Sequence, residues 1–210
     1  ILNTTDTTAT MPAGTVFNAT INEDSYQFVT ITDVTKSNPG SVISFDDTVI
    51  YEGSWITSRY TVDASNIEQR FLINDNRSDT STLRVQVQTS ASDSTTTTYT
   101  LATDISAISS TSTVYFLQEV EGGQFEIYFG DGILGKAVTD GNIIIIEYVV
   151  TNKTLGNGGT TFVNAETIST VSDVITTTVI NSAGGAEPES LASIKLNAPL
   201  DYASQGRCVT

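Results

Sequence analysis

The sequence predicts a mainly β protein, with antiparallel β-rich domains and one short α-helix near the carboxyl end. Residues 125–129 alternate apolar and polar side chains, as a strand with one buried face does. Residues 143–150 form a long β-branched run that is typical of a strand covered on both faces. Threonine is abundant along the whole chain, and it favours strands and polar turns.

Glycine-rich turns separate these two strands. Gly130-Asp131-Gly132 follows the first strand directly, and Asp140-Gly141 precedes the second. An Asp-Gly pair favours turns with positive φ, and flanking glycines let the backbone fold back closely. We therefore expect a tight reversal at the first turn, within a β-meander.

The remaining strands are predicted from the same alternation. A hairpin is expected from residues 16–21 and 26–31, a strand through 42–51 around a turn, and a one-face strand over 83–87. The polar stretch at 90–98 is expected to be an exposed loop. Short β-branched pieces between residues 162 and 180 extend the β prediction.

The pattern changes at Gly184-Gly185, where the Thr-rich β sequence ends. Pro188 suits the first turn of a helix, and its neighbouring glutamates complement the positive end of the helix dipole. We expect a helix over about residues 187–197, ended by Pro199.

One face of this helix is apolar, because Leu191, Ile194 and Ala198 recur at i, i+3 and i+7. A helix this short is marginal alone in water, so packing must hold it. These residues, with Glu189, form a candidate interface that docks onto another element or subunit. The alternative is that the helix folds back on its own β domain.

Composition excludes several functions. The net charge is −15, with 24 acidic residues against 9 basic ones, so the surface repels phosphate backbones and anionic lipid. Nucleic-acid and membrane roles are therefore disfavoured, and no apolar run is long enough to span a bilayer. The absence of histidine excludes Ser-His-Asp and Cys-His catalysis. With Cys208 as its one cysteine, the chain cannot form an internal disulfide or the usual zinc site.

Carboxylates alone could serve a glycosidase, and four lie close together in sequence: Glu126, Asp131, Asp140 and Glu147. Strand alternation places Glu126 and Glu147 on solvent-facing positions, which favours ordinary surface acids. The acidic loop at residues 75–79 has Arg77 in a ligand position and lacks the glycine and closing glutamate of a calcium loop. The glycine-dense loop at 155–159 lacks the Lys-Ser/Thr of a phosphate cradle. We predict no enzyme, catalytic residue, metal, cofactor or small-molecule substrate.

Several stretches resemble phage baseplate proteins. Residues 129–135, from Phe129 through Gly130, Asp131, Gly132 and Gly135, together with 114–119, resemble the FGDG-type segment of the baseplate wedge subunit of T-even-like contractile-tailed phages. Residues 184–190 resemble the Gly-Gly-x-x-x-Glu-Ser joint of the wider baseplate J-like family. The opening segments at 12–15 and 26–30 fit that family's first hairpin. One departure is that Lys195 is the only basic residue in the predicted helix, where the family often has one near its start.

The resemblance implies a domain organisation. Residues 1–51 and 151–183 would be two parts of a J-like β domain, and 52–150 an inserted β subdomain. Residues 184–210 would hold the Gly-Gly joint, the helix and a tail leading into a following domain. Because the chain begins with Ile1 and ends without a closing element, we expect it to be a piece of a longer protein.

The resemblance also implies a function. In that family the subunit is scaffolding, which contacts other wedge subunits and copies of itself in the baseplate ring. It would be located in the virion tail baseplate after assembly in the host cytoplasm. The alternative from the residues alone is a receptor- or carbohydrate-binding β module of an adhesin or tail fibre, since Tyr51, Trp55 and Tyr60 cluster in sequence.

Overall fold

A computed structural model describes residues 1–37, 40–66 and 68–204, except for the side chains of residues 191 and 200–204. It confirms a mainly β fold with a short α-helix near the carboxyl end. In this part of the chain, no helix has the length and apolar character needed to cross a membrane. The strands are β1 (Leu2–Asn3), β2 (Thr8–Met11), β3 (Val16–Ile21), β4 (Asp24–Val29), β5 (Val34–Ser37), β6 (Val42–Ile43), β7 (Tyr51–Glu52), β8 (Ser54–Thr61), β9 (Phe71–Ile73), β10 (Ser78–Gln88), β11 (Thr96–Leu101), β12 (Val114–Val120), β13 (Gln124–Phe129), β14 (Ile143–Val150) and β15 (Val163–Asn164). Helix α1 spans Leu191–Ser204, and short 3₁₀ helices span Ile105–Ala107 and Lys153–Gly156.

The largest sheet has seven strands in the order β8-β14-β10-β11-β12-β13-β9. Neighbouring strands are antiparallel, except for the parallel pair β11 and β12. The two edge strands meet through Tyr60 on β8. Its hydroxyl donates to the Leu72 carbonyl on β9 at 2.6 Å, and its ring packs edge-on against Phe71. The sheet therefore curls until its first and last strands touch.

The curled sheet encloses one hydrophobic core, in which β14 is central. Its members include Ile73, Val85, Tyr99, Tyr115, Ile127, Ile144, Ile146 and Tyr148. On β14 the intervening Ile145 and Val149 are also buried, so both faces of this strand are covered. The expectation for residues 143–150 is confirmed, including both ends of the strand.

The predicted β-meander across residues 125–150 is wrong. Strand β13 pairs with β12 and β9, whereas β14 pairs with β10 and β8, so the two are not neighbours. The chain does turn at Gly130, but the isolated bridge between Gly130 and Ala137 is parallel, so the chain runs in the same direction at both residues and the turn is part of a loop. The connection is long enough to carry the chain across the sheet, and local turn signals do not determine which strand it joins.

The other strands form the first β group, so called because the chain enters it first, with the sheet β15-β3-β4-β7 and the pairs β2-β5 and β1-β6. The seven-stranded sheet is the second β group. The core of the first group joins residues from both ends of the chain: Leu2, Ala9, Met11, Phe17, Ala19, Ile21, Phe28, Ile43, Phe162 and Ile168. The predicted first hairpin is confirmed as β3 and β4. Its turn is a two-residue one at Asn22 and Glu23, which both have positive φ.

Two expected β regions are shorter in the structure. The strand expected through 42–51 is reduced to β6 and β7 at its ends. Between residues 162 and 180, only β15 and isolated bridges at Ile168 and Val174 form. Strand preference depends on packing against neighbouring strands, so β-branched residues without a sheet edge beside them remain irregular.

The two β groups contact each other through an ion pair and through a glycine packed against a tryptophan ring. The guanidinium of Arg84 on β10 lies 3.0 Å from the Asp33 carboxylate and 3.5 Å from that of Glu147. Gly14 lies against the ring of Trp55, and a Cβ built there would come within 2.8 Å of the ring atom Cδ1. A glycine is therefore required where the first group meets β8.

The helix differs from its prediction at both ends. It begins at Leu191 instead of 187, because the Ser190 hydroxyl accepts a hydrogen bond from the Ser193 N–H at 3.2 Å and caps it. It continues through Pro199, which was expected to end it, although that residue cannot donate a backbone hydrogen bond. The tail beyond Ser204, with Cys208, lies outside the described residues.

Replacing Gly14 with alanine tests the contact between the two groups. Gly14 and Gly141 both have positive φ, at 82° and 77°, so alanine at either position strains the backbone. Only at Gly14 would the new methyl group also meet a side chain. We expect Gly14→Ala to lower the free energy of unfolding by about 1–3 kcal/mol more than Gly141→Ala. Urea denaturation measures the free energy of unfolding of both variants. Equal losses of stability would contradict the close contact between Gly14 and Trp55.

Candidate interaction surfaces

The Gly-Asp-Gly turn after β13 is built around the Asp131 carboxylate. One of its oxygens accepts hydrogen bonds from the N–H groups of Ile133 and Leu134, both at 2.9 Å. These two donors hold the pKa of Asp131 below its ordinary value. Gly132 donates to the Gly135 carbonyl at 3.0 Å, and both glycines have a φ of 87°. The motif is therefore a self-contained turn.

The turn is also fixed against the segment before β12. A Cβ on Gly130 would collide with the backbone of Gly135, so the chain crosses itself at a distance that only glycine permits. The Gly135 N–H then donates to the Ser109 carbonyl at 3.1 Å. The tip of this fixed turn presents Ile133, which is 81% exposed. The sequence motif predicts the turn but not this apolar tip.

The Gly-Gly joint is held by a hydrogen-bonded pair. The Gly185 N–H donates to the side-chain oxygen of Asn157, and the side-chain amide of Asn157 donates to the Gly185 carbonyl, both at 2.9 Å. A Cβ on Gly185 would collide with the Lys153 carbonyl, and Gly184 has a φ of 95°. Each glycine is therefore required for a different reason.

The glycine-dense loop at 155–159 also binds Ser182. The Ser182 hydroxyl donates to the Gly156 carbonyl and accepts from the Gly159 N–H, both at 2.7 Å. The backbones of Ser182 and Gly158 are joined by a 2.8 Å hydrogen bond. The loop that resembles a phosphate cradle in sequence thus holds the chain's own carboxyl-terminal segment. No local signal links residues so far apart in the sequence.

The helix α1 has a polar side that Glu189 organises. Its carboxylate accepts hydrogen bonds from the Ser193 hydroxyl and from the Asn197 side chain, which together hold the pKa of Glu189 below its ordinary value. On the predicted apolar face, Ile194 is 44% exposed and Ala198 is exposed. The side chain of Leu191 lies outside the described residues. The described part of this face is therefore not packed against the β groups.

Glu126 corrects an expectation about surface acids. It lies on the same face of β13 as Tyr128, as alternation predicts, but it is only 2% exposed. Arg70 covers it with two charge-assisted hydrogen bonds, and the Tyr128 hydroxyl donates to it at 2.8 Å. Arg70 above all holds the pKa of Glu126 below its ordinary value. Glu147 is likewise partly buried beside Arg84, with its side chain 18% exposed, so neither acid is an ordinary surface acid.

The other candidate sites also have structural partners. Asp75 in the acidic loop pairs with Arg77 at 3.0 Å. Among the residues that the structure describes, no three His, Cys, Asp or Glu side chains are grouped to hold a metal ion. Of the clustered aromatics, Trp55 contacts Gly14 and Tyr60 bonds to β9. These two rings therefore have roles inside the fold.

Comparison with known proteins identifies relatives of this chain. A family model described as "Bacteriophage baseplate wedge protein gp6, third domain" matches residues 58–163. The chain is also similar to the baseplate wedge protein gp6 of Enterobacteria phage T4, with 26% identity over an alignment of 232 positions. That alignment covers 96% of this chain and 33% of the relative. The chain therefore spans about a third of the length of the curated relative it matches.

The pairing of Arg70 with Glu126 predicts a pH-dependent stability. Because folding lowers the pKa of Glu126, its stabilisation is present above the unfolded pKa of about 4.3 and is lost as the pH falls through the folded value. We expect Glu126→Gln to lower the free energy of unfolding at pH 7 by about 1–2 kcal/mol, since Arg70 is half exposed.

Urea denaturation at pH 7 and at progressively lower pH measures this difference. The difference between the wild type and Glu126→Gln should shrink below about pH 4. Glu119→Gln, at an exposed position on the paired strand β12, is the matched control and should have little effect at any pH. A difference that stays constant as the pH falls would show that the carboxylate charge does not matter.

Proposed function

Because the chain belongs to the family of the bacteriophage baseplate wedge protein gp6, third domain, we propose that it is a structural part of a phage tail baseplate. The match over residues 58–163 carries this proposal, since it covers all of strands β9 to β14. The protein would be located in the virion tail baseplate after assembly in the host cytoplasm. Its partners would be other wedge subunits and further copies of itself in the ring.

The proposed mechanism is protein–protein contact without catalysis. Two features favour contacts: the fixed turn with Ile133 at its tip, and the exposed face of α1. Against a hydrolase, Glu126 is bound by Arg70 and so has neither a raised pKa nor a free carboxylate for acid–base work. The large acid excess further favours a basic surface on the partner.

We also propose the domain organisation that the resemblance implies. Residues 1–51 and 151–183 would form the J-like β domain, with 52–150 inserted into it. The two hydrophobic cores support this division, because one draws residues from before 44 and after 161 and the other from between 62 and 148. Residues 184–210 would connect this unit to a following domain.

The carboxyl-terminal helix is proposed to dock onto a neighbouring element that is absent from the described residues. The alternative, that it folds back onto its own β domain, loses support because Ile194 and Ala198 are exposed. Leu196, on another side of the helix, is 70% exposed. An isolated helix of this length is marginal in water, so a partner surface would stabilise it.

Aspartate substitutions on the helix test this docking. We expect Ile194→Asp with Ala198→Asp to leave the melting temperature of the 210-residue chain unchanged, because neither side chain is buried there. The same change in the full-length protein should reduce its incorporation into baseplates at least roughly tenfold, since burial of Ile194 contributes about 1.5–3 kcal/mol.

Incorporation is measured by complementing a phage that lacks the protein and quantifying the subunit in purified tails. Ala192→Asp, which makes the same kind of change on a different side of the helix, is the control and should assemble normally. A lowered melting temperature of the isolated chain would instead show that the helix belongs to its own core. Normal assembly of the double variant would remove the helix from the proposed interface.

A further inference from the structure

The chain crosses twice between its two β groups, and the two crossings lie side by side. Glu52 forms hydrogen bonds that join them. The chain leaves the first group after β7, at Glu52, and returns after β14, at Thr151. One carboxylate oxygen of Glu52 accepts from the Thr151 hydroxyl and from the Asn152 N–H, both at 2.8 Å. The other oxygen accepts from the Asn152 side chain at 2.7 Å. Three hydrogen bonds therefore join the outgoing chain to the returning chain.

The returning loop is packed tightly onto this carboxylate. A Cβ on Gly156 would collide with the side chain of Glu52, so the loop approaches as closely as glycine allows. The loop's 3₁₀ turn over Lys153–Gly156 therefore rests on Glu52. Asn157, the next residue in the chain, is consequently held at a fixed place relative to both crossings.

Asn157 in turn holds the departing carboxyl-terminal segment. Its side-chain amide forms two hydrogen bonds with the backbone of Gly185, donating one to the carbonyl and accepting one from the N–H. The pair resembles the pairing of two peptide groups. Farther along the chain, the Lys153 ammonium lies 2.9 Å from the Glu187 carboxylate. The Glu187 side chain is 62% exposed, so this ion pair contributes little energy by itself. The ion pair does, however, attach the departing segment to the loop at Glu187, shortly before α1 begins at Leu191.

We infer that Glu52, the loop at 151–157 and Gly185 form a rigid bracket that fixes the direction in which α1 leaves the β groups, with Asn157 as its positioning residue. A Gly-Gly pair is normally a flexible point in a chain. Here Gly184 supplies a positive φ and Gly185 a close approach to Lys153, so neither provides freedom of motion. The inference rests on the proposed scaffold function, which requires the helix to meet its neighbour in one orientation.

Hydrogen exchange of the Gly185 amide tests the bracket directly. In the full-length protein this N–H should be protected, and Asn157→Ala should speed its exchange at least roughly tenfold because its acceptor is removed. Asn157→Asp keeps an acceptor for this N–H but loses the donor to the Gly185 carbonyl, so it should retain most of the protection. Asn181→Ala, at an exposed position nearby, is the matched control and should change nothing.

Spin labels measure the orientation of the helix itself. One label replaces Ser92, in an exposed loop of the seven-stranded sheet, and the other replaces the exposed Ala192, which lies outside the proposed docking face of α1, with native cysteines changed to serine. We expect one narrow distance distribution in the wild-type background and at least a twofold broader one with Asn157→Ala. Circular dichroism confirms that each variant is folded.

Three outcomes overturn the inference: an unprotected Gly185 amide in the wild-type protein, a broad wild-type distance distribution, or an Asn157→Ala distribution as narrow as that of the wild type. The scaffold proposal is decided separately, by incorporation of the wild-type protein into baseplates. Normal assembly together with a broad distance distribution would refute the bracket and leave the scaffold proposal standing. A narrow distance distribution in a protein that never enters baseplates would support the bracket and refute the scaffold proposal.

Discussion

The burial of β14 on both faces is the constraint on which the rest of the structure depends. Alternate residues of a strand point to opposite faces, and Ile144 and Ile146 fill the core of the curled sheet. The opposite face carries Glu147 and Val149, which lie toward the first β group beside Arg84 and Gly53. The contact of Arg84 with Asp33 in the first group therefore lies beside this face of β14.

The face of β14 that does not line the core carries the charged side chain of Glu147. Arg84 offsets the cost of partly burying this charge. A buried carboxylate without a partner is strongly destabilising, and one oxygen of Glu147 has no hydrogen bond among the described residues. The guanidinium of Arg84 lies close to that oxygen and also binds Asp33 in the other group. Arg84 therefore neutralises Glu147 within the sheet and, through Asp33, also joins the two groups.

Predictions from the sequence succeeded where a pattern is local and failed where its partner is distant. Strand β14 was predicted to its end residues because its long run of mostly β-branched residues indicates a buried strand. The pairing of β13 was missed because the Gly-Asp-Gly motif shows that the chain turns after β13 but not which strand it then meets. The burial of Glu126 was missed because its cover, Arg70, comes from a different loop. The pairing of Asn157 with Gly185 has no sequence signal for the same reason.

Three of the nine basic residues are placed at junctions, and this bears on how copies could meet. Arg70 closes a loop over β13, Arg84 joins the two groups, and Lys153 holds the departing segment. Each is thereby engaged within the chain, so the excess of acidic charge faces outward and two copies repel at long range. Contacts between copies, as proposed, must then come from short-range apolar packing, which is insensitive to that repulsion once salt screens it. The exposed face of α1, if it docks as proposed, would supply such packing, and only a helix held in a fixed direction would bring it to the same place on every neighbour.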